Sequence, residues 1–92
     1  MAILIDEARW WWRGRKWCHL VSDMSYDELH EFADLADIPR RGFQGDHYDV
    51  PTEYRERALE LGAEAVDSRV LVRRLRESGL RKPRRAQPPP TA

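Results

Sequence analysis

Two of the three histidines, His19 and His47, sit among aspartates at the ends of segments that read as strands. Imidazole titrates near neutrality and carboxylates orient it, so His with Asp serves both general acid/base pairs and divalent-metal sites. His19, His47 and Asp49 are therefore the candidate catalytic residues. Arg9, Trp17, Asp23, Asp46 and Tyr48 are the candidate ligand-binding residues. Arg9 would supply bidentate phosphate contacts, with Trp17 or Tyr48 as a stacking surface. The spacing assigns no metal ligand set and no cofactor. A divalent metal is nonetheless compatible with His19, His47 and a carboxylate, with Asp6 or Asp46 completing the shell and the ion activating water. The run Gly45-Asp46-His47-Tyr48-Asp49 puts polar groups where a buried strand wants Val and Ile, the local inconsistency that marks functional sites. Asp6 also has an ordinary use, capping the turn that follows it. His30 falls on the flank of a helical stripe, where a solvated or capping role is expected. Cys18 makes a poor nucleophile because strand alternation turns it away from His19.

Seven elements have to position these residues. Ala2 to Asp6 (AILID) reads as a short buried strand. Residues 7–15, with three consecutive tryptophans and Gly14, read as a loop or irregular edge. Lys16 to Ser22 alternates, so Trp17, His19 and Val21 share one face and Cys18 and Leu20 the other. Ser25 with Glu28 forms a capping box that opens a helix, with Leu29, Phe32, Ala33 and Ala36 on its apolar stripe and Pro39 at its end. Phe43 to Val50 reads as a third strand, with His47 and Asp49 on one face and Tyr48 and Val50 on the other. Thr52 is the expected N-cap of a second helix carrying Tyr54, Ala58 and Leu61, with Gly62 after it. Ala63 to Val66 reads as a fourth strand, and Asp67 or Ser68 caps a third helix that buries Leu71, Val72 and Leu75. The order ββαβαβα predicts a single small α/β domain over 1–80, with a mostly parallel or mixed four-stranded sheet and right-handed crossovers. The ligand site then belongs at the carboxyl ends of the strands.

Composition narrows the choices. Ninety-two residues with 41% apolar content make one core without disulfides. The single cysteine fits a reducing compartment and excludes a Cys-based zinc cluster. No apolar run approaches the roughly 18 residues of a membrane span, and Met1 to Ile5 is too short for a signal peptide, so a cytoplasmic location is expected. Net charge is zero, but residues 1–80 carry 12 basic against 16 acidic residues, a balance of −4. That argues against a whole-surface duplex-DNA binder. Basic charge is concentrated at Arg9 to Trp17 (RWWWRGRKW) and in residues 81–92, a Pro-rich tail expected to be disordered. Aromatics interleaved with Arg stack bases while binding phosphates. Trp10, Trp11 and Trp12 can equally dock a protein partner, since three adjacent tryptophans cannot all point inward. No Gly-rich phosphate loop, G-x-S-x-G or H-E-x-x-H motif is present.

These residues resemble a family of small bacterial and phage proteins of about this length, catalogued as a domain of unknown function. The resemblance runs nearly end to end and is carried by Trp17-Cys18-His19-Leu20-Val21-Ser22-Asp23 (W-x-H-L-x-x-D), Glu28 to Ala33, Gly45 to Pro51 with its H-Y-D-V motif, and Ser68 to Leu75. It implies one compact domain and marks Trp17, His19, Asp23, His30, His47, Tyr48 and Asp49 as family positions. The triple tryptophan departs from the pattern, so a role for that loop would be this chain's own. Three functions stay open: binding of a nucleotide or nucleic-acid end at the His/Asp/Arg site, metal-dependent phosphoester hydrolysis there, or protein interaction through the tryptophan loop.

Overall fold

A computed structural model describes residues 2–7 and 10–81, without the Trp10 side chain. The tail expected from residue 81 onward therefore lies outside the described residues, except Arg81, and so does Arg9.

The chain begins with a long hairpin whose first arm is broken. Strand β1 (Ile3–Ile5) and strand β2 (Trp10–Trp12) both pair antiparallel with β3 (Arg15–Ser22), lying end to end along one of its edges. Arg13 and Gly14 form the connecting turn, with φ of 53° and 78°. Positive φ at both central residues matches the right-handed strand twist and permits a two-residue hairpin. The segment expected to be an irregular loop is thus partly a strand and a tight turn. The usual Asn-Gly or Gly-Gly signal is masked because Arg occupies the first turn position. Between Ile5↔Leu20 and Trp10↔Trp17 the register moves by two residues. A two-residue slip keeps every side chain on its own face but interrupts the ladder at Asp6.

Helix α1 (Tyr26–Leu35) starts where Ser25 accepts the Glu28 N–H at 3.0 Å. The capping box is only half formed, since the Glu28 carboxylate turns to the Ser22 hydroxyl, which itself accepts from the Ser25 N–H. Two bonds end the helix before Pro39 is reached: the Asp37 N–H donates to Asp34 and the Ile38 N–H to Ala33, with Asp37 left-handed at φ 61°. This is a Schellman closure carrying Asp where Gly is usual. A return segment then crosses the length of the sheet through a 3₁₀ turn at Arg40–Gly42 before β4 (Tyr48–Pro51) begins. Only half of the expected strand from Phe43 to Val50 is extended. Gly45, at φ 90°, reverses the chain so that the Gln44 N–H reaches the His47 carbonyl and Phe43 bridges Tyr48.

Thr52 does not cap a helix: its hydroxyl donates to the Lys16 carbonyl, and a 3₁₀ turn (Thr52–Tyr54) leads into α2 (Arg55–Glu60). Ala58 is buried and Tyr54 packs on the core, whereas Leu61 stays exposed. The two-residue β5 (Glu64–Ala65) pairs parallel with β1, and α3 (Ser68–Glu77) is capped by Asp67.

The five-stranded sheet is mixed, in the order β2-β3-β1-β5, with β4 antiparallel along the far edge of β3. Among the described residues only the β1–β5 pair is parallel. Of the two arrangements expected, mostly parallel or mixed, the sheet is the mixed one, with five strands for the four expected, because the return segment after α1 reverses the direction of β4 and makes it an antiparallel neighbour of β3. One face carries Ile5, Cys18, Leu20, Tyr48 and Val50 against Leu29 and Ala33 of α1 and Ala58 of α2. The other buries Leu4 and Val21 under Leu71 and Leu75 of α3. Each such leucine stabilises the fold by about 2 kcal/mol. Both helical stripes and the alternation within β3 follow the sequence expectation.

Asp37, exposed and left-handed, gives a test of the helix end. Asp37→Gly relieves the αL cost against the greater chain entropy of Gly, for a net gain of about 0.5 kcal/mol. Thermal unfolding is expected to show a rise of about 2–4 °C in Tm. A fall would mean the Asp37 side chain contributes something the strain argument omits.

Candidate functional site

Where the ladder breaks, the Asp6 side chain takes over from the missing backbone. Its Oδ1 accepts the His19 N–H at 2.7 Å, and Oδ2 lies 2.8 Å from His19 Nδ1. The Ser68 hydroxyl, at the start of α3, donates to the same Oδ2 at 2.8 Å. The Asp6 N–H still reaches the His19 carbonyl at 3.2 Å, and Arg55 Nε donates to the Asp6 carbonyl. Asp6 is 1% exposed. Burial pushes its carboxyl upward, but the His19 ring bond, the His19 amide and the Ser68 hydroxyl outweigh it and hold the group below the ordinary 3.8. An ionised carboxylate can only accept, so His19 Nδ1 donates to it.

The second histidine repeats the arrangement. His47 precedes β4, and its Nδ1 lies 2.7 Å from Oδ1 of Asp46, itself 5% exposed. His47 Nε2 lies 3.1 Å from Asp49 Oδ1. Burial alone would depress the His47 pKa, but hydrogen bonds from Asp49 and Asp46, and then their charges, raise it above the ordinary 6.5.

Register brings the two halves together. His19 is directly opposite Asp49 in the β3–β4 pair, so both project from the face that α3 leaves uncovered beyond Val21. The rings of His19 and His47 meet edge-on at 5.3 Å. One ligand atom from each of His19, His47 and Asp49 falls within 4.8 Å of the others. This trio lies across the middle of the sheet face and not at the carboxyl ends of parallel strands, because β3 and β4 are antiparallel.

The other expected positions separate. Asp46 and Trp17 lie at this face, Asp46 behind His47 and Trp17 on the same side of β3 as His19. Asp23 is committed elsewhere, accepting the Ala2 N–H and pairing with Arg74 at 2.7 Å, a brace between β3 and α3. Tyr48 offers no stacking surface, being fully buried on the opposite face with its hydroxyl 2.7 Å from His30 Nδ1. His30 is half-buried, with its ring held between the Tyr48 hydroxyl and Phe43, ring centroids 4.6 Å apart. Cys18 points into the core, where burial and then the Asp6 charge push its thiol up to about 12, so no thiolate forms near neutrality.

A groove of about 610 Å³ adjoins the trio and takes Asp49, but neither histidine, into its wall. Trp12, Trp17, Tyr54, Arg13, Arg15 and Arg41 line it. Trp17 is fixed by its Nε1–H donating to the Trp12 carbonyl at 2.8 Å, with the two rings 5.3 Å apart. Arg13 lies over Trp12 at 4.7 Å, and Arg15 pairs with Glu53. Sequence reasoning did not reach Arg13, Arg41 and Tyr54 as site residues. The Arg13-Gly14 turn was the available signal, since a hairpin there folds Trp12 and Arg13 back over β3.

A family model described as "Protein of unknown function (DUF4031)" matches residues 3–78. No curated protein and no solved structure matches the chain. Among the described residues, no helix is long and apolar enough to cross a membrane.

The raised His47 pKa fixes a sign. Stability from the protonated ring is fully present below the unfolded value of 6.5 and is lost as pH rises through the higher folded value. Proton NMR is expected to place the His47 midpoint above 6.5 and to show Asp49→Asn lowering it. A midpoint at or below 6.5 in the unmodified chain would contradict the paired-carboxylate geometry.

Proposed function

We propose that this chain, which belongs to the DUF4031 family, uses His19, His47 and Asp49 to hold a divalent metal ion that activates water for phosphoester hydrolysis. One observation carries the reading: each histidine has its Nδ1 pinned by a nearly buried carboxylate, Asp6 for His19 and Asp46 for His47. A carboxylate behind each ligating imidazole is the usual outer shell of a metal site, fixing the tautomer and raising ligand basicity. Charge supports it as well. Asp6, Asp46 and Asp49 place three carboxylates around the pair, offset in part by the proton that His47 favours, by Arg55 and by the N-terminal end of α3, and a divalent ion would replace that proton. A cation between the rings balances the excess.

Two imidazoles and one carboxylate suit zinc, manganese or iron(II), and three protein ligands leave positions open for water and substrate. A bound divalent ion brings the pKa of its water toward about 7. Held by His19, His47 and Asp49, the ion would supply a water-derived nucleophile for phosphorus; hydrolysis would then break the ester P–O bond, with the departing oxygen protonated from solvent. Water is the only co-reactant, and nothing is oxidised or reduced. Arg13 and Arg41 in the adjoining groove supply positive charge for the phosphate oxygens.

A protein partner at the tryptophan strand is a second reading, favoured by Trp11, which is 66% exposed beside Lys16. Trp11→Ala separates it from the first, because Trp11 does not line the groove.

Calorimetric titration of chelator-treated protein with zinc and with manganese tests the main proposal. One ion per chain is expected, lost in His19→Ala and His47→Ala, with Asp6→Asn weakening affinity about 10- to 100-fold. Stoichiometry near zero for both ions sinks it.

A further inference from the structure

From the groove beside the trio we infer a substrate class: a single-stranded nucleic acid, with bases stacked on Trp12 and Trp17 and backbone phosphates at Arg13 and Arg41. Its role as substrate rests on the metal-centre reading; its binding does not.

The lining combines aromatic faces with guanidinium groups, the pairing that single-strand binders use for bases and phosphates together. Its volume of about 610 Å³ lies within the range of about 300–1,000 Å³ usual for sites that enclose a small-molecule unit such as one nucleotide. Trp17 is held in one orientation by its bond to the Trp12 carbonyl, so a stacking base meets a prepared surface. Trp12 is 53% exposed.

The cations are placed with equal economy. Arg15 is neutralised by Glu53, whereas Arg41 is exposed and has no ion-pair partner among the described residues. Arg13 occupies a left-handed turn position, φ 53°, where Asn or Gly would sit without strain. Backbone preference does not explain an arginine there. Its guanidinium lies over the Trp12 ring at the groove rim, where a phosphate can reach it. Asp49 belongs to both the groove wall and the trio, so a strand in the groove presents its phosphodiester to the candidate metal position. Duplex substrates do not fit this chemistry, because their base faces are already stacked.

Fluorescence anisotropy with labelled ten-nucleotide DNA and RNA single strands, in chelator and at low salt, tests the proposal independently of any metal. Binding of at least one strand is expected, with the matching duplex weaker. Trp12→Ala is expected to cost roughly 5- to 150-fold. The double variant Arg13→Gly with Arg41→Ala is expected to reduce the slope of log affinity against log salt by about 1.4. The double variant keeps the wild-type Tm or exceeds it, since Arg41 is exposed and Gly suits the turn; Trp12→Ala, which loses its ring contact with Trp17, is checked for an unchanged far-UV spectrum and for folding at the assay temperature. His19→Ala keeps strand affinity while losing metal, so the two proposals fail separately. Absence of binding to either strand overturns the inference. So does a duplex or heparin that binds as tightly as the single strands, or a Trp12→Ala variant that binds like wild type.

Discussion

The Asp6 carboxylate ties three parts of the molecule together at one point. It replaces the backbone acceptor lost where β1 ends, fixes the ring of His19 on β3, and receives the first hydroxyl of α3. A buried carboxylate with fewer partners would cost several kcal/mol or be protonated. Here the partners are sufficient to hold it ionised, and this in turn decides which nitrogen of His19 faces the open side of the sheet. Backbone irregularity and imidazole tautomer are thus one problem with one solution.

The second constraint is unequal cover. Helices α1 and α2 close one face over Cys18, Leu20, Tyr48 and Val50, while α3 reaches only Leu4 and Val21 on the other. Past Val21, the alternating residues His19 and Trp17 have no helix above them, and Asp49 and Pro51 lie opposite. The uncovered half of the sheet is where polar side chains can remain accessible, because burial there would demand partners for every one. Its polar residues are therefore grouped across β3 and β4, with the aromatic groove continuing toward the hairpin tip.

Much of this was legible in the sequence where a signal is local. Alternation placed Trp17, His19 and Val21 together and set His47 and Asp49 apart from Tyr48, and helical spacing found Leu29, Ala33, Leu71 and Leu75. Signals failed where two distant segments decide. Nothing near Asp6 announces Ser68, and Asp23 looks as available as Asp49 until Arg74 is seen beside it. Tyr48 carries a polar tip that suggests a site, yet His30 on α1 satisfies that tip inside the core. The choice between a mostly parallel and a mixed sheet could not be made from sequence, because an alternation of strands and helices is silent on what the return segment does. Gly45 was read as part of a strand, although its positive φ makes it the reversal that sets His47 beside Asp46.

The bond from Ser68 to Asp6 also closes a span of 62 residues. Closing so long a loop costs chain entropy that the sheet and both of its helical layers must already have overcome. The Asp6 support behind His19 is accordingly complete only when β1, β3 and α3 are all in place. Any ligand that needs it discriminates against partly folded chains and draws the population toward the complete structure by mass action.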